Sequence, residues 1–310
     1  MESKYINFRA PGSLMILGEY AVLHQGFGVC CAIDQYMTAK LNLRSDRIIT
    51  LKSHLGSYEG SLDHLPDSES LSFAVQSIRK FLSFCTCGFD IEYISTIDTQ
   101  IGFGSSAATV VSTLGALNLA FFKSVDHERI LKMAVDTVIS VQGSGSGCDC
   151  AASLYQSTVA FNPRTFEVKR FHHPFELTVL YSGQKASTKK MIQFVHQRYL
   201  ENKEAVAKIY NEIESLTNLG MRSLFNNDLH RLGEIITSHH YKLRDLGVSN
   251  PDLEALIQIL LKDSAILGAK ISGAGGGDCV IGLGGAIVNL PIDMYGSRVI
   301  HVKTLTGTYI

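Results

Sequence analysis

Three glycine-rich segments of this chain carry the residues that could bind a phosphate group and act on it. In the first, at 100–109, two glycines precede Ser105 and Ser106. The apolar run that follows, 105–122, predicts a buried helix. The unpaired N–H groups and the dipole at the start of a helix bind anions, and glycine lets the backbone approach them closely. An ordinary capped helix after a turn would have the same sequence, so this segment alone leaves both interpretations open.

The second segment, at 141–153, has three alternating glycines followed by Asp149. A lone aspartate in such a place is most often a helix cap or a turn residue, but it could also be a carboxylate held beside the anion site. The third segment, at 268–281, predicts strand, glycine loop and strand. The absence of a Gly-Lys dipeptide excludes a Walker A loop, and the absence of Gly-x-Gly-x-x-Gly weakens a dinucleotide fold. A nucleotide site made of backbone amides remains.

Two further segments carry charged residues that need an explanation. Pro11-Gly12 predicts a turn before an apolar run, which Gly18-Glu19 interrupts. A buried Glu19 would need a partner or face a site, although periodicity alone favours a loop acid in solvent. Ser187 or Thr188 is expected to cap a long helix whose first turn holds Lys189 and Lys190. Lysines there oppose the helix dipole, so they are either surface residues or neighbours of a phosphate.

Composition limits the class of protein. A length of 310 residues suits two domains, and a net charge of −1 gives no basic excess for nucleic acid. The N-terminus lacks an apolar signal core, and we expect no run long enough to span a bilayer. The seven cysteines are spaced for reduced thiols in a cytoplasmic protein rather than for disulfides, and no Cys-x-x-Cys pair indicates zinc.

Hydrophobic periodicity predicts alternating strands and helices around these segments. Strands are expected at 31–43, 48–54 (as its partner), 89–97, 157–161, 177–181 and 298–305. Helices are expected at 71–84, 105–122 and 127–141, as two or three within 189–246, and at 251–267. Residues 56–70 are expected to form a loop, and a domain boundary is expected within 162–174.

Three blocks, in this order along the chain, resemble the GHMP kinases, the family of galacto-, homoserine, mevalonate and phosphomevalonate kinases. They run from Pro11-Gly12 to Gly18-Glu19, from Gly102 to Ala108, and from Ser272 to Asp278. The resemblance implies an α+β protein with the two-domain GHMP kinase fold. Its N-terminal domain (1–170) would contain a left-handed β-α-β unit, its C-terminal domain (171–310) would be ferredoxin-like, and ATP and substrate would meet between them.

The resemblance also assigns roles by position, with ATP and Mg²⁺ as cofactors. Asp149 matches the family's catalytic aspartate, and Ser106 is the expected Mg²⁺ contact. The segment 18–26 resembles the mevalonate branch, where it lines the substrate pocket. The expected ATP-binding residues are Gly102, Phe103, Gly104, Ser105, Ser106, Ala107, Gly273, Gly275 and Gly276. The expected substrate-binding residues are Glu19, Tyr20, His24 and Lys189.

Two departures from the family pattern concern the catalytic centre. Ser13, beside the catalytic aspartate, stands where the branch usually has lysine, so another group must compensate or turnover must be slower. The glutamate that supports Mg²⁺ in mevalonate kinases would fall near Val138, while Asp136 is expected on another face.

Some sequence features favour one candidate substrate and some favour another. The Ala-Val-Leu-His-Gln-Gly segment favours mevalonate, whereas Tyr20, Gly277-Asp278-Cys279 and Lys185-Ala186-Ser187-Thr188 favour phosphomevalonate. We expect mevalonate as the substrate, with phosphomevalonate as the alternative. A further alternative is that the chain is a catalytically impaired nucleotide-binding regulator on the same fold. The expected partners are small molecules, not nucleic acid or membrane, and a homodimer is left open.

Overall fold

The structure is a computed structural model, and it describes residues 5–24, 26–98, 101–285 and 298–307. Gln25 and Gln100, which belong to two of the segments above, lie outside the described residues. The described strands are β1 Ile6–Leu17, β2 Gly28–Leu43, β3 Ile48–Ser53, β4 Gly56–Ser61, β5 Phe89–Ser95, β6 Thr158–Asn162, β7 Glu167–Phe171, β8 Glu176–Tyr181, β9 Ala269–Ser272, β10 Cys279–Leu283 and β11 Arg298–Lys303. The described helices are α1 Ser72–Phe81, α2 Ser105–Phe122, α3 His127–Gln142, α4 Cys148–Tyr155, α5 Thr188–Glu201, α6 Lys203–Phe225, α7 Leu229–Asp245 and α8 Pro251–Leu261. Two short 3₁₀ turns lie at Ala21–Leu23 and Leu82–Phe84.

The first sheet holds seven strands and supports the helices that begin at the glycine loops. Its order is β4-β3-β5-β2-β6-β7, and β1 pairs with β2 off this path. Both α2 and α4 pack against β1 and β2, so the starts of these two helices are fixed by the same pair of strands. The apolar run 105–122 forms α2 with the expected bounds.

Helix α2 corrects one expectation from the sequence. With 18 residues and a mean hydropathy of 1.4, it is long and apolar enough to cross a membrane, although no run of that kind was expected. However, 67% of the helix is buried inside the protein. Small residues such as Ala108 and Gly115 let its neighbours pack closely, and a Cβ on Gly115 would lie 2.5 Å from the Phe8 ring. The helix is therefore a core helix of the first sheet.

The second sheet contains four antiparallel strands in the order β11-β8-β10-β9. Helix α8 packs against β9 and β10, and α7 packs against β9. The prediction of two or three helices within 189–246 is confirmed, with α5, α6 and α7 in that range. The two sheets and the helices that pack against them give the expected α+β class.

The two sheets contact each other directly near the chain's third glycine loop. Ser272, at the end of β9, donates a hydrogen bond from its hydroxyl to the backbone oxygen of Met15 in β1, at 2.9 Å. Farther along, Thr304 forms a β-bridge with Ile33 of the first sheet. The first sheet ends at Phe171, one residue past the expected boundary, and β8 of the second sheet begins at Glu176, so the division into domains 1–170 and 171–310 stays a proposal.

Three local predictions are wrong, for reasons that depend on pairing and packing. The strand 48–54 does not pair with β2, because β5 lies between β2 and β3. Residues 56–61 form β4 rather than a loop, since a strand at the sheet edge can be polar on both faces. The last predicted helix ends at Leu261, six residues before 267.

Pro11-Gly12 does not form the predicted turn. Both residues lie inside β1, where the pairing with β2 shifts register between Pro11 and Ser13. A Cβ on Gly12 would lie 2.6 Å from the backbone oxygen of Phe103, so glycine is needed for a close approach of two chain segments. The approach brings β1 to the first glycine loop.

Candidate active site

The three glycine-rich segments meet at one cavity of about 330 Å³. Its walls come from the loop before α2, the loop before α4, the end of β1 and the loop between β9 and β10. The predicted site residues that line it are Glu19, Tyr20, Gly102, Phe103, Gly104, Ser105, Ser106, Ala107, Asp149 and Gly273. The predicted site residues that do not line it are Ser13, His24, Lys189, Gly275 and Gly276.

Asp149 lies in the first turn of α4, which begins directly after Gly147. Gly147 has a φ of +77°, and a Cβ there would lie 2.5 Å from the Val135 side chain, so both conformation and space require glycine. The N-cap position belongs to Gly147, and no side chain among the described residues caps this helix, so Asp149 does not act as the N-cap. Its Oδ1 accepts hydrogen bonds from the Ser13 hydroxyl at 2.8 Å and from the Cys30 thiol at 3.3 Å.

Ser13 lies behind the cavity wall, with 1% of its surface exposed. Its backbone N–H donates to the oxygen of Phe103 at 3.0 Å. Gly104 packs against it so closely that a Cβ would lie 2.2 Å from the Ser13 hydroxyl oxygen. Ser13 therefore joins β1, the first glycine loop and Asp149 without itself reaching the cavity.

The start of α2 differs from the prediction that Ser105 or Ser106 caps the helix. The N-cap position belongs to Gly104, in a left-handed conformation, and no side chain in the described part of the chain caps the helix. Both serines lie inside the first turn, and their hydroxyls make no hydrogen bond with the described residues. The free amides of the first turn and these hydroxyls are donors that phosphate oxygens can accept. This end of the cavity therefore fits the phosphates of a nucleotide.

Glu19 is buried, so the interpretation as a loop acid in solvent is wrong. It has 4% of its surface exposed and forms an ion pair with Lys270, whose side chain is fully buried in β9. The N–H of Gly273 also donates to Glu19 Oε1, at 3.4 Å. Burial lowers the pKa of Lys270, while Glu19 opposes that shift. Lys270 was not predicted as a site residue, and its signal in the sequence is a single lysine between apolar neighbours in a predicted strand.

Tyr20 connects the end of β1 to the third glycine loop. Its hydroxyl donates to the backbone oxygen of Ala274 at 2.5 Å, and burial raises the pKa of this hydroxyl. Tyr20 has a φ of +64°, a conformation that costs energy for a non-glycine residue and is held here by the surrounding contacts. His24 is exposed instead, and its ring stacks on Tyr210 with centroids 4.4 Å apart.

The other glycines of the third loop pack against protein. A Cβ on Gly275 would lie 2.4 Å from the backbone oxygen of Val248, and one on Gly276 would lie 2.6 Å from the sulfur of Met191. Gly276 also donates its N–H to Val248 at 2.8 Å. Close packing of the loop on its own domain therefore explains these two glycines.

The cavity has a cation, but not one of the two predicted lysines. Ser187 caps α5 as expected, accepting the N–H of Lys190, and both Lys189 and Lys190 are exposed away from the cavity. Lys185, three residues upstream of α5, lines the cavity instead. Among the described residues that line it, Lys185 is the one with a cationic side chain.

Asp278 lies opposite the first glycine loop and was not predicted as a site residue. Its Cγ lies 3.6 Å from the position of a Cβ on Gly102. Its Oδ1 is buried without a hydrogen-bond partner in the described chain, and burial raises the pKa of the carboxyl, while a hydrogen bond from the Ala186 backbone and next the charge of Lys185 oppose that shift. A buried carboxylate oxygen without a donor is suited to a cation.

The fit to Mg²⁺ therefore rests on Ser106 and Asp278. Val138 lines the cavity and offers no ligand, and Asp136 forms an ion pair with Lys80 on another face, as expected. No cluster of three histidine, cysteine or acidic side chains forms a metal site within the described ranges. Because Mg²⁺ keeps several waters and phosphate oxygens as ligands, one or two protein oxygens suffice.

Family profiles match both halves of the chain. The profile described as GHMP kinases N terminal domain matches residues 71–157, and the profile described as GHMP kinases C terminal matches residues 221–286. A curated relative from Archaeoglobus fulgidus, named mevalonate kinase, is 33% identical over 275 residues. The match covers 88% of this chain and 90% of that relative.

Solved structures share the fold over nearly the whole chain. The Methanococcus jannaschii mevalonate kinase has a TM-score of 0.79 at 21% identity, covering 98% of this chain and 100% of that one. A Streptococcus pneumoniae phosphomevalonate kinase, solved with phosphomevalonate and AMPPNP, has a TM-score of 0.78 at 20% identity, covering 97% of this chain and 100% of that one. At such identities the likeness establishes the fold.

Proposed function

The chain belongs to the GHMP kinase family, and we propose that it transfers the γ-phosphoryl group of ATP to a hydroxyl oxygen of mevalonate. It is an ATP-dependent phosphotransferase on the two-domain fold of that family. One observation carries the proposal: the Asp149 carboxylate, held by Ser13, lines the same cavity as the first turn of α2. This arrangement is evidence that a general base and a phosphate-binding site share one cavity.

Phosphoryl transfer depends on in-line positioning and on neutralising phosphate charge, more than on covalent help from the protein. The amides at the start of α2 would hold the phosphates, and Ser106 and Asp278 would hold Mg²⁺. Mg²⁺, when bound, neutralises charge that develops on the phosphates. Lys185 would add positive charge from the side of the C-terminal domain. Asp149 would accept or orient the proton of the substrate hydroxyl.

Mevalonate is the first candidate substrate because the Archaeoglobus fulgidus relative bears the name mevalonate kinase. Glu19 and Tyr20 are proposed to form the substrate wall of the cavity. Phosphomevalonate is the second candidate, and Lys185 favours it because a cation in the cavity suits an additional phosphate. A regulator that binds nucleotide without catalysis is the third, and the placement of Asp149 in the cavity argues against it.

The test is a substrate panel with saturating MgATP, in which ADP release is measured for mevalonate, phosphomevalonate, homoserine and galactose. We expect turnover with mevalonate. The variant Asp149→Asn keeps the size of the side chain, and we expect its kcat to fall about 10²–10⁴-fold while ATP still binds, because a placed base contributes that much. Near-normal turnover in a folded Asp149→Asn variant would reject Asp149 as the base. No turnover by the parent with either mevalonate compound would reject the substrate assignment.

The cysteines bear on the location of the protein in the cell. All seven cysteines are free thiols, as expected from their spacing, and this supports a reducing compartment such as the cytoplasm. We propose small molecules as the partners, with neither nucleic acid nor a membrane among them. Gel filtration of the purified chain against standards tests whether it forms a homodimer.

A further inference from the structure

Asp149 is held at one of its two carboxylate oxygens, and both donors are neutral. Oδ1 accepts the Ser13 hydroxyl at 2.8 Å and the Cys30 thiol at 3.3 Å. The described residues place no hydrogen-bond donor on Oδ2, while Asp149 itself lines the cavity. One oxygen of the carboxylate is therefore fixed to the protein, and the other is available to a ligand.

Cys30 is placed rigidly enough to orient that carboxylate. It lies in β2, is fully buried, and is paired in register with Met15 of β1 on one side and Val159 of β6 on the other. Burial, and next the charge of Asp149, raise the pKa of the Cys30 thiol well above its ordinary value. The sulfur therefore keeps its proton and remains a donor, although a thiol is a weaker donor than a hydroxyl.

We propose that Cys30 is a positioning residue for phosphoryl transfer, acting with Ser13 to hold Oδ1 of Asp149 so that Oδ2 faces the hydroxyl of the substrate. The terminal torsion of an aspartate has a broad, roughly two-fold preference, so a single donor leaves the plane of the carboxylate loosely defined. Two donors on one oxygen, from two strands of the same sheet, restrict the plane of the carboxylate. Both donors are neutral, Ser13 standing where the branch usually has lysine, and the inference rests on the proposed function.

The kinetic test compares two thiols of the same strand. Cys31 is also fully buried in β2 and makes no hydrogen bond to Asp149, so Cys31→Ala creates a similar cavity without removing the donor. We expect Cys30→Ala to lower kcat roughly three- to tenfold, the range for one modest hydrogen bond, with little change in the KM for ATP. Cys30→Ser, which restores a donor, should recover most of the loss, and Cys31→Ala should retain parental kcat. Equal kcat in folded Cys30→Ala and parent would overturn the proposal.

A second measurement does not depend on activity. Urea unfolding of the parent, Cys30→Ala, Asp149→Ala and the double variant forms a double-mutant cycle. We expect the two substitutions to be non-additive, because each removes the same hydrogen bond. Additive effects would show that the thiol does not interact with Asp149 and would overturn the proposal even if the parent phosphorylates none of the substrates. A parent without turnover, combined with non-additive unfolding, would reject the proposed function and leave the interaction standing.

Discussion

At the scale of single residues, the charge of the cavity depends on where each side chain lies. Asp149, Glu19 and Asp278 contribute three acidic groups, and Glu19 is already neutralised by Lys270. Among the described residues that line the cavity, Lys185 is the one with a cationic side chain. Since the transferred phosphate is strongly anionic, we propose that the exposed Lys185 side chain stabilises the reacting state from the cavity wall.

The corresponding prediction compares Lys185 with Lys189. We expect Lys185→Ala to lower kcat/KM about 10-fold or more, because a charge-assisted contact to phosphate or carboxylate would be lost. Lys189→Ala is the matched control, since its side chain is exposed in the first turn of α5 and does not line the cavity. The measurement is steady-state kinetics at saturating and at limiting substrate. A larger loss in Lys189→Ala than in Lys185→Ala would refute this assignment.

At the scale of elements, the start of α2 combines three properties of a phosphate site. The left-handed Gly104 ends the loop, no side chain of the described residues occupies the first amides, and the helix that follows is buried by the sheet. A helix whose first turn is left uncapped inside a protein loses stabilisation, so a ligand that accepts those N–H groups would restore it. We therefore propose that this element gains stability when nucleotide is bound.

The prediction for this element is that Ser106→Ala weakens MgATP binding about 5- to 30-fold without unfolding the protein. The hydroxyl is a proposed Mg²⁺ or phosphate contact, worth about 1–2 kcal/mol, and alanine is a good helix former. Isothermal titration with MgADP and with a non-hydrolysable ATP analogue measures the effect. Ser105→Ala is the neighbouring control in the same turn, and a loss seen only in Ser105→Ala would move the contact to that residue.

At the scale of the whole molecule, a buried polar network joins the two domains beside the cavity. Glu19 contacts Lys270, and its second oxygen lies 3.6 Å from His239 of α7. The N–H of Gly18 donates to His239 Nε2 at 3.3 Å, which requires an unprotonated nitrogen. Burial, and then the charge of Lys270, lower the pKa of His239 well below its ordinary value. His239 is therefore neutral in the folded protein.

This network predicts that stability falls as the pH is lowered. The folded pKa of His239 lies below the unfolded value of about 6.5, so below that pH the unfolded chain binds a proton that the folded protein does not. Its contribution is complete above about pH 6.5 and is lost progressively as the pH falls below that value. Urea unfolding at several pH values should show a smaller pH dependence in His239→Gln. His230→Gln, an exposed residue of the same helix, should keep the parental slope, and equal slopes in all three proteins would disprove the assignment.

The sequence by itself determined the features that depend on local spacing and composition. The bounds of α2, the cap of α5 by Ser187 and the free cysteines follow from periodicity, capping preference and residue spacing. The three glycine segments and Asp149 could also be recognised in the sequence, because the backbone conformations of such loops restrict which residues they can hold. The resemblance to the family followed from three blocks and their order, namely Pro11-Gly12 to Gly18-Glu19, Gly102 to Ala108 and Ser272 to Asp278.

Tertiary structure alone decided the contacts between residues far apart in the chain. Whether Glu19 was buried could not be derived from its neighbours, because its partner Lys270 is 251 positions away. Lys185 and Lys189 have similar sequence contexts, and only the packing of the loop before α5 places one of them on the cavity wall. Cys30 could be assigned beside Asp149 only after β2 was placed between β1 and β6, since side-chain positions across a sheet depend on strand order and register.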